Sequence, residues 1–183
     1  MECPNCGSGE LKPGKLEHNL PCVGCSECNG ALLQLVAYRN WRENFPAEVE
    51  HAGVTKALSD AEDTTRALLC PKCRRIMLKF KFDSDTDHGI DVCTHCEEVW
   101  LDEGEWHYLR VHDIHESLPT VFTDPWQRHL REARTRKVMQ GEWRKKLGGP
   151  DFDETMRIHQ WLTSHPKRAS ILSFLMSDDP YQV

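Results

Sequence analysis

Apolar and polar positions alternate along IMLKFKF at residues 76 to 82, a turn-rich DSDTDHG follows, and GIDVC resumes the apolar run. This pattern predicts a β-hairpin. The period then lengthens. After the strand-like VWL a helix is expected from about 103 to 115, with Asp102 as its cap and Glu103 and Glu105 at the positive end of its dipole. Trp106 and Leu109 would turn back onto the strands. QLVAYRNWREN reads as a second short helix, with Leu35, Tyr38 and Trp41 on one side. Asp124 followed by Pro125 at a first helical position opens a long helix over about 125 to 147, stopped by GGP. DFDETMRIHQWLTSH is amphipathic, and Pro166 opens a last helix, PKRASILSFLMS. These helices are expected to pack on one another and on the long one, with Trp126, Leu130, Val138 and Trp143 docking its apolar side. Between Pro46 and Leu69 the chain is polar, with five acidic residues against one Lys and one Arg. That stretch reads as a tether, with SDAEDTTRALL as a helix capped by Ser59. The tail SDDPYQV reads as extended and polar, disordered by preference, with a peptide docking signal as the alternative.

The cysteines change the picture. Eight of the nine fall in Cys-x-x-Cys pairs, and the pairs repeat. Cys3 and Cys6 map onto Cys70 and Cys73 at an offset of 67, and Cys25 and Cys28 onto Cys93 and Cys96 at 68. The inner gaps hold 18 and 19 residues, as a four-cysteine metal site requires. Each Cys-x-x-Cys presents two thiolates from one tight turn. Two turns complete a tetrahedral shell with no position left for substrate. A unit of about 40 residues buries too little surface to fold alone, so the ion must contribute to folding. Two zinc ions per chain are expected, and four thiolates would also suit a rubredoxin-like iron.

LPCVGCSECNG holds a third thiol, Cys22. Pairing Cys22 with Cys25 would leave a gap of 15 residues, also permitted, so spacing alone does not choose. The flanks do: at the 68 offset Leu32 and Leu33 fall on Trp100 and Leu101, and Cys22 falls on the apolar Ile90. Cys22 then reads as a small half-buried hydrophobe. The alternative is a redox-active thiol beside the metal.

CPKC, about 20 residues, then CTHCEEVWLDEGEW resembles the transcription-factor-IIB-type zinc ribbon family of bacterial proteins, in which a Trp-Leu-Asp-x-Gly-Glu run follows the second knuckle. The resemblance is strong over residues 70 to 106. It is weaker over 3 to 41, where ALLQLVAYRNW replaces VWLDEGEWHYL, and the C-terminal half carries none of it. Such membership implies a structural zinc, a β-rich ribbon and a role in macromolecular interaction, with the transcription or translation machinery as the partner class. EEVWL departs from the glycine common after the last cysteine of that family.

The expected fold is therefore a small metal-bound α+β chain. A first ribbon with its helix occupies residues 1–45, an acidic linker 46–69, a second ribbon with its helix 70–118, and an all-α region 119–183. His107, His112 and His115 form no His-Glu-x-x-His and read as surface residues; His95 points out of its knuckle, and His18 and His88 sit in hairpins. Over 124–148 the charge is +5 within a chain of −6. Arg128, Arg131, Arg134, Arg136, Lys137, Arg144, Lys145 and Lys146 would meet nucleic acid, an acidic protein surface, or simply water. The acidic whole argues against a protein that coats nucleic acid with its entire surface. No run is long and apolar enough to span a bilayer and no leader is recognisable, so a cytoplasmic home is expected. Three functions stay open: a non-enzymatic zinc adaptor binding a protein complex, a nucleic-acid binder using the basic helix, and a redox switch involving Cys22.

Overall fold

The computed structural model describes residues 1–44 and 64–181. The Ser59 cap and most of the 46–69 linker lie outside them, as do the last two residues. The chain divides into two compact units, Met1–Arg134 and Thr135–Val183.

In the first unit both cysteine repeats build one sheet. β1 (Leu11–Lys15), β2 (Pro21–Cys25) and β3 (Ala31–Gln34) come from the first copy, and β4 (Leu78–Lys81), β5 (Gly89–Cys93) and β6 (Glu98–Leu101) from the second. The order β1-β2-β3-β6-β5-β4 is antiparallel throughout. The seam is β3 on β6, with Leu32 opposite Trp100 and Leu33 opposite Val99. Since position 100 is the repeat equivalent of position 32, the copies meet about a local two-fold through that pair. Pro13, which has no N–H to donate, sits on the edge strand β1, where that costs no ladder bond.

Strand alternation sorts the core into two layers. Leu33, Val99 and Leu101 join Leu20, Phe82 and Ile90 beneath helix α1 (Leu35–Asn44) and helix α2 (Glu105–Val111). Leu35, Tyr38 and Trp41 are buried as the helical period requires, and the Trp41 and Trp106 rings meet edge-on at 6.0 Å. Leu32 and Trp100 point into the other cluster, with Leu68, Met77 and the cysteines.

α2 is shorter than its periodicity suggests. Asp113 adopts a left-handed φ of 56° after Val111; a 3-10 turn (Ile114–Ser117) follows, and then α3 (Leu118–Val121), which starts beside Pro119. The break folds 114–121 back on the core, so His115, expected at the surface, is 8% exposed. Tyr38 holds this return: its hydroxyl donates to the His115 carbonyl at 2.7 Å and accepts from the Leu118 N–H at 3.1 Å. The cap differs too. Gly104, φ 84°, stands at the N-cap with no side-chain cap bond, and the Glu105 carboxylate accepts from the Asp102 N–H at 2.8 Å. Residues 64–69 form no helix; Leu68 is buried and Leu69 bridges Ile76. α4 (Asp124–Leu147) begins on this unit, where the Gln127 amide donates to the Lys81 carbonyl at 2.6 Å.

The second unit contains the end of α4, α5 (Gly149–Thr163) and α6 (Arg168–Leu175). The expected packing is only partial: Trp126 packs on the core of the sheet, Phe152, Met156 and Ile171 are half-buried, and the Arg144 guanidinium lies over the Phe152 ring. Val138 and Trp143 stay exposed, as do Ile158, Trp161 and Phe174, and among the described residues of this unit Leu162 is the one buried apolar side chain. A single residue, Gly148 at φ 85°, links α4 to α5, too short a connection for two helices to fold flat against each other.

Candidate metal centre

The eight paired cysteines converge as two groups: Cys3, Cys6, Cys25 and Cys28, and Cys70, Cys73, Cys93 and Cys96. Within each, the four sulfurs lie inside 4.8 Å of one another. Each group takes one pair from a turn preceding a hairpin and one from the turn at its far end. The turns repeat in detail. Gly7 (φ 70°) and Arg74 (φ 62°) occupy one left-handed position after the first pair, and Asn29 (φ 52°) and Glu97 (φ 53°) the equivalent one after the second. The Gly7 N–H donates to the Cys3 carbonyl and the Arg74 N–H to the Cys70 carbonyl, closing the same turn twice. Glu97 thus adopts the turn without being glycine, at a cost of about 1 kcal/mol; its carboxylate accepts from Arg39 at 3.0 Å.

The sulfur geometry fits a tetrahedral ion. Cys3 to Cys28 is 3.5 Å, Cys6 to Cys25 3.6 Å and Cys73 to Cys93 3.5 Å. Four sulfurs at about 2.3 Å from a common centre stand ~3.8 Å apart. The first site leaves no slack around its donors: a Cβ added to Gly9 would fall 2.3 Å from the Cys25 sulfur and 3.2 Å from that of Cys6. The Gly9 N–H points at the Cys6 sulfur at 3.3 Å.

The thiols hold their protons unevenly. A Ser8 side-chain hydrogen bond, with backbone N–H groups, brings Cys6 down to about 6, and the N–H of Arg75 brings Cys73 to about 7. Burial pushes Cys3, Cys28 and Cys70 up, and sharing a proton with Cys73 takes Cys96 up to about 12. Cys6 thus ionises more readily than Cys3 and Cys28, and Cys73 more readily than Cys70 and Cys96. A divalent cation relieves that imbalance by replacing the protons.

Asp102 ties the two copies together behind the sites. It is 4% exposed, and its Oδ1 accepts from Trp100 Nε1 at 2.8 Å and from Asn5 Nδ2 at 3.0 Å, while Oδ2 accepts from the Thr64 N–H at 2.9 Å. Asn5 lies between Cys3 and Cys6, so a carboxylate of the second copy steadies a turn of the first. Sequence alone places Asp102 at a helix cap, and its local spacing carries no sign of this role. Two further buried acids were equally hidden. Lys72 pairs with Glu98, and Lys79 with Asp91 at 2.9 Å.

The remaining sequence candidates lie elsewhere. Cys22 is half-buried on β2 opposite Gly14, outside both quartets, and burial raises its thiol. His112 is exposed, its ring 4.1 Å from that of Tyr108. On α4, Arg134 pairs with Asp87 at 2.8 Å, Arg144 with Asp153 at 2.8 Å and Lys145 with Glu142 at 2.8 Å, while Lys146 lies over the Trp143 ring. Arg128, Arg131, Arg136 and Lys137 are exposed on the same helix. Among the described residues, no helix is long and apolar enough to cross a membrane.

Compared with protein-family models, with curated proteins and with solved structures, the chain finds no match.

Proposed function

We propose that this chain is a non-enzymatic adaptor whose two all-cysteine sites each hold a structural zinc ion. The observation that carries the reading is the donor set: four thiols converge at each site, which fills a tetrahedral shell with protein sulfur and leaves no vertex for a reacting molecule. Zinc held this way contributes folding energy, on the order of 10 kcal/mol per site in small ribbons. The chain's own residues do the rest. Knuckle N–H groups stabilise the thiolates, Gly9 lets the backbone approach them, and Asp102 locks the first knuckle to the second repeat.

The partner class follows from the likeness of residues 70–106 to transcription-factor-IIB-type zinc ribbons. It is a protein complex of the transcription or translation apparatus, met in the cytoplasm. A nucleic-acid role for α4 is the less favoured reading, because part of its positive charge is already met by Asp87, Asp153 and Glu142. A redox role for Cys22 has little support, since burial raises its thiol and so disfavours the reactive thiolate.

Elemental analysis of the purified chain tests the metal assignment: two zinc atoms per chain are expected, falling to about one in Cys28→Ser and staying at two in Cys22→Ser. Iron in place of zinc, seen as colour, or full occupancy in Cys28→Ser would refute it. Affinity capture from native extract tests the adaptor role, which requires one recurrent protein complex that survives nuclease treatment.

A further inference from the structure

Residues 135–181 leave most of their large apolar side chains exposed. Of seventeen large apolar side chains exposed among the described residues, eleven lie in this stretch, against Leu162 as its buried one. They follow the helical period. Trp143 and Leu147 on α4 are four apart, Ile158 and Trp161 on α5 three apart, and Leu172 and Leu175 on α6 three apart, so each pair shares a helix face. At roughly 50–100 Å² apiece, eleven such side chains expose on the order of 500–1,000 Å². One side of a standard protein interface is about 800 Å².

Charge narrows the choice of what covers this surface. The stretch carries eight Lys or Arg and six Asp or Glu, so two copies of it repel little. The charges are also sorted. Residues 136–146 hold five cations and one acid, and residues 151–154 hold three acids and no cation. Within one copy the Arg144 guanidinium already grips both oxygens of Asp153 at 2.8 and 3.0 Å, so that pair is met inside the chain and only the sorting of charge along the surface bears on a second copy. A surface carrying both signs permits pairing with its own copy under a two-fold operation, where a surface of one sign would repel it. A uniformly anionic partner, nucleic acid or lipid headgroup, would meet the carboxylates at the start of α5.

We propose that the exposed apolar faces of the second half of α4, of α5 and of α6 form a homodimer interface, covered by the same surface of a second copy. The proposal stands apart from the metal assignment, because these helices contain no cysteine.

Sedimentation of the full-length, metal-loaded chain in reductant tests it. A dimer is expected, with dissociation in the micromolar range or tighter. Trp161→Glu and Leu175→Glu, both at exposed positions, should each weaken it at least tenfold while metal content and sheet signal stay those of the wild type. A chain that remains monomeric at about 100 µM would overturn the proposal. So would a dimer untouched by both substitutions, or a monomer that co-sediments with phosphatidylglycerol vesicles. Should one variant lose its metal, the wild-type mass and the other variant decide.

Discussion

Asp102→Ala removes a single acceptor shared by three donors on different parts of the chain. Trp100 is fully buried and Thr64 is 6% exposed, so the indole N–H and the Thr64 amide would lose their partner where water does not readily reach. Each such orphaned donor costs about 1–3 kcal/mol; Asn5, half-buried, adds less. The expected loss is ~3–5 kcal/mol, a large share of the 5–15 kcal/mol typical of a domain. Asp102→Asn is the informative companion. Its carbonyl oxygen can keep Trp100 and Asn5, while its amide faces the Thr64 N–H donor to donor, so its cost should be about 1–3 kcal/mol. Urea unfolding at fixed free zinc, followed by tryptophan fluorescence, gives both values. Because Asn5 sits between Cys3 and Cys6, metal transfer to a chelator should accelerate at one of the two sites in Asp102→Ala. An alanine variant within ~0.5 kcal/mol of wild type, or an asparagine variant worse than alanine, would refute the account of Asp102.

Gly30→Ala would place a Cβ 2.2 Å from Cζ2 of the fully buried Trp100 ring; an overpacking cost of about 1–3 kcal/mol should lower the melting temperature by roughly 5–15 °C, read by circular dichroism. Stripping the metal with a strong chelator should unfold residues 1–134, seen as loss of tryptophan burial, and zinc should restore it; a fold that persists metal-free would count against structural ions. Burial holds the His115 imidazole below its ordinary 6.5, so the unfolded chain takes up that proton first as pH falls. Its contribution is present above pH 6.5 and is lost as pH drops through the depressed folded value. Replacing His115 with Asn should flatten the stability slope just below pH 6.5 relative to wild type, measured as paired urea midpoints across that range.

Local chemistry made much of the metal centre legible. A thiol pair needs a fixed short spacing to share an ion, and the repeat of CPNC and CPKC at matched intervals marks which cysteines belong together. Helices α1, α4 and α5 were readable for a similar reason, since apolar period and a Pro or Gly boundary are properties of neighbouring residues. The burial of His115 is not legible in the sequence because it depends on one left-handed residue, Asp113, which folds the following turn onto Tyr38.

What the sequence determined by itself is the pair of quartets and the strand and helix periods, because both rest on contacts or spacings within short stretches. Tertiary structure alone decided that Leu32 faces Trp100 across a seam joining both repeats in one sheet, and that Asp102 serves a turn 97 residues away. It alone left Ile158 and Trp161 of α5, and Phe174 and Leu175 of α6, exposed. Those outcomes depend on which surfaces meet, and hydrogen bonding and burial between distant segments leave no periodic trace in the chain that makes them.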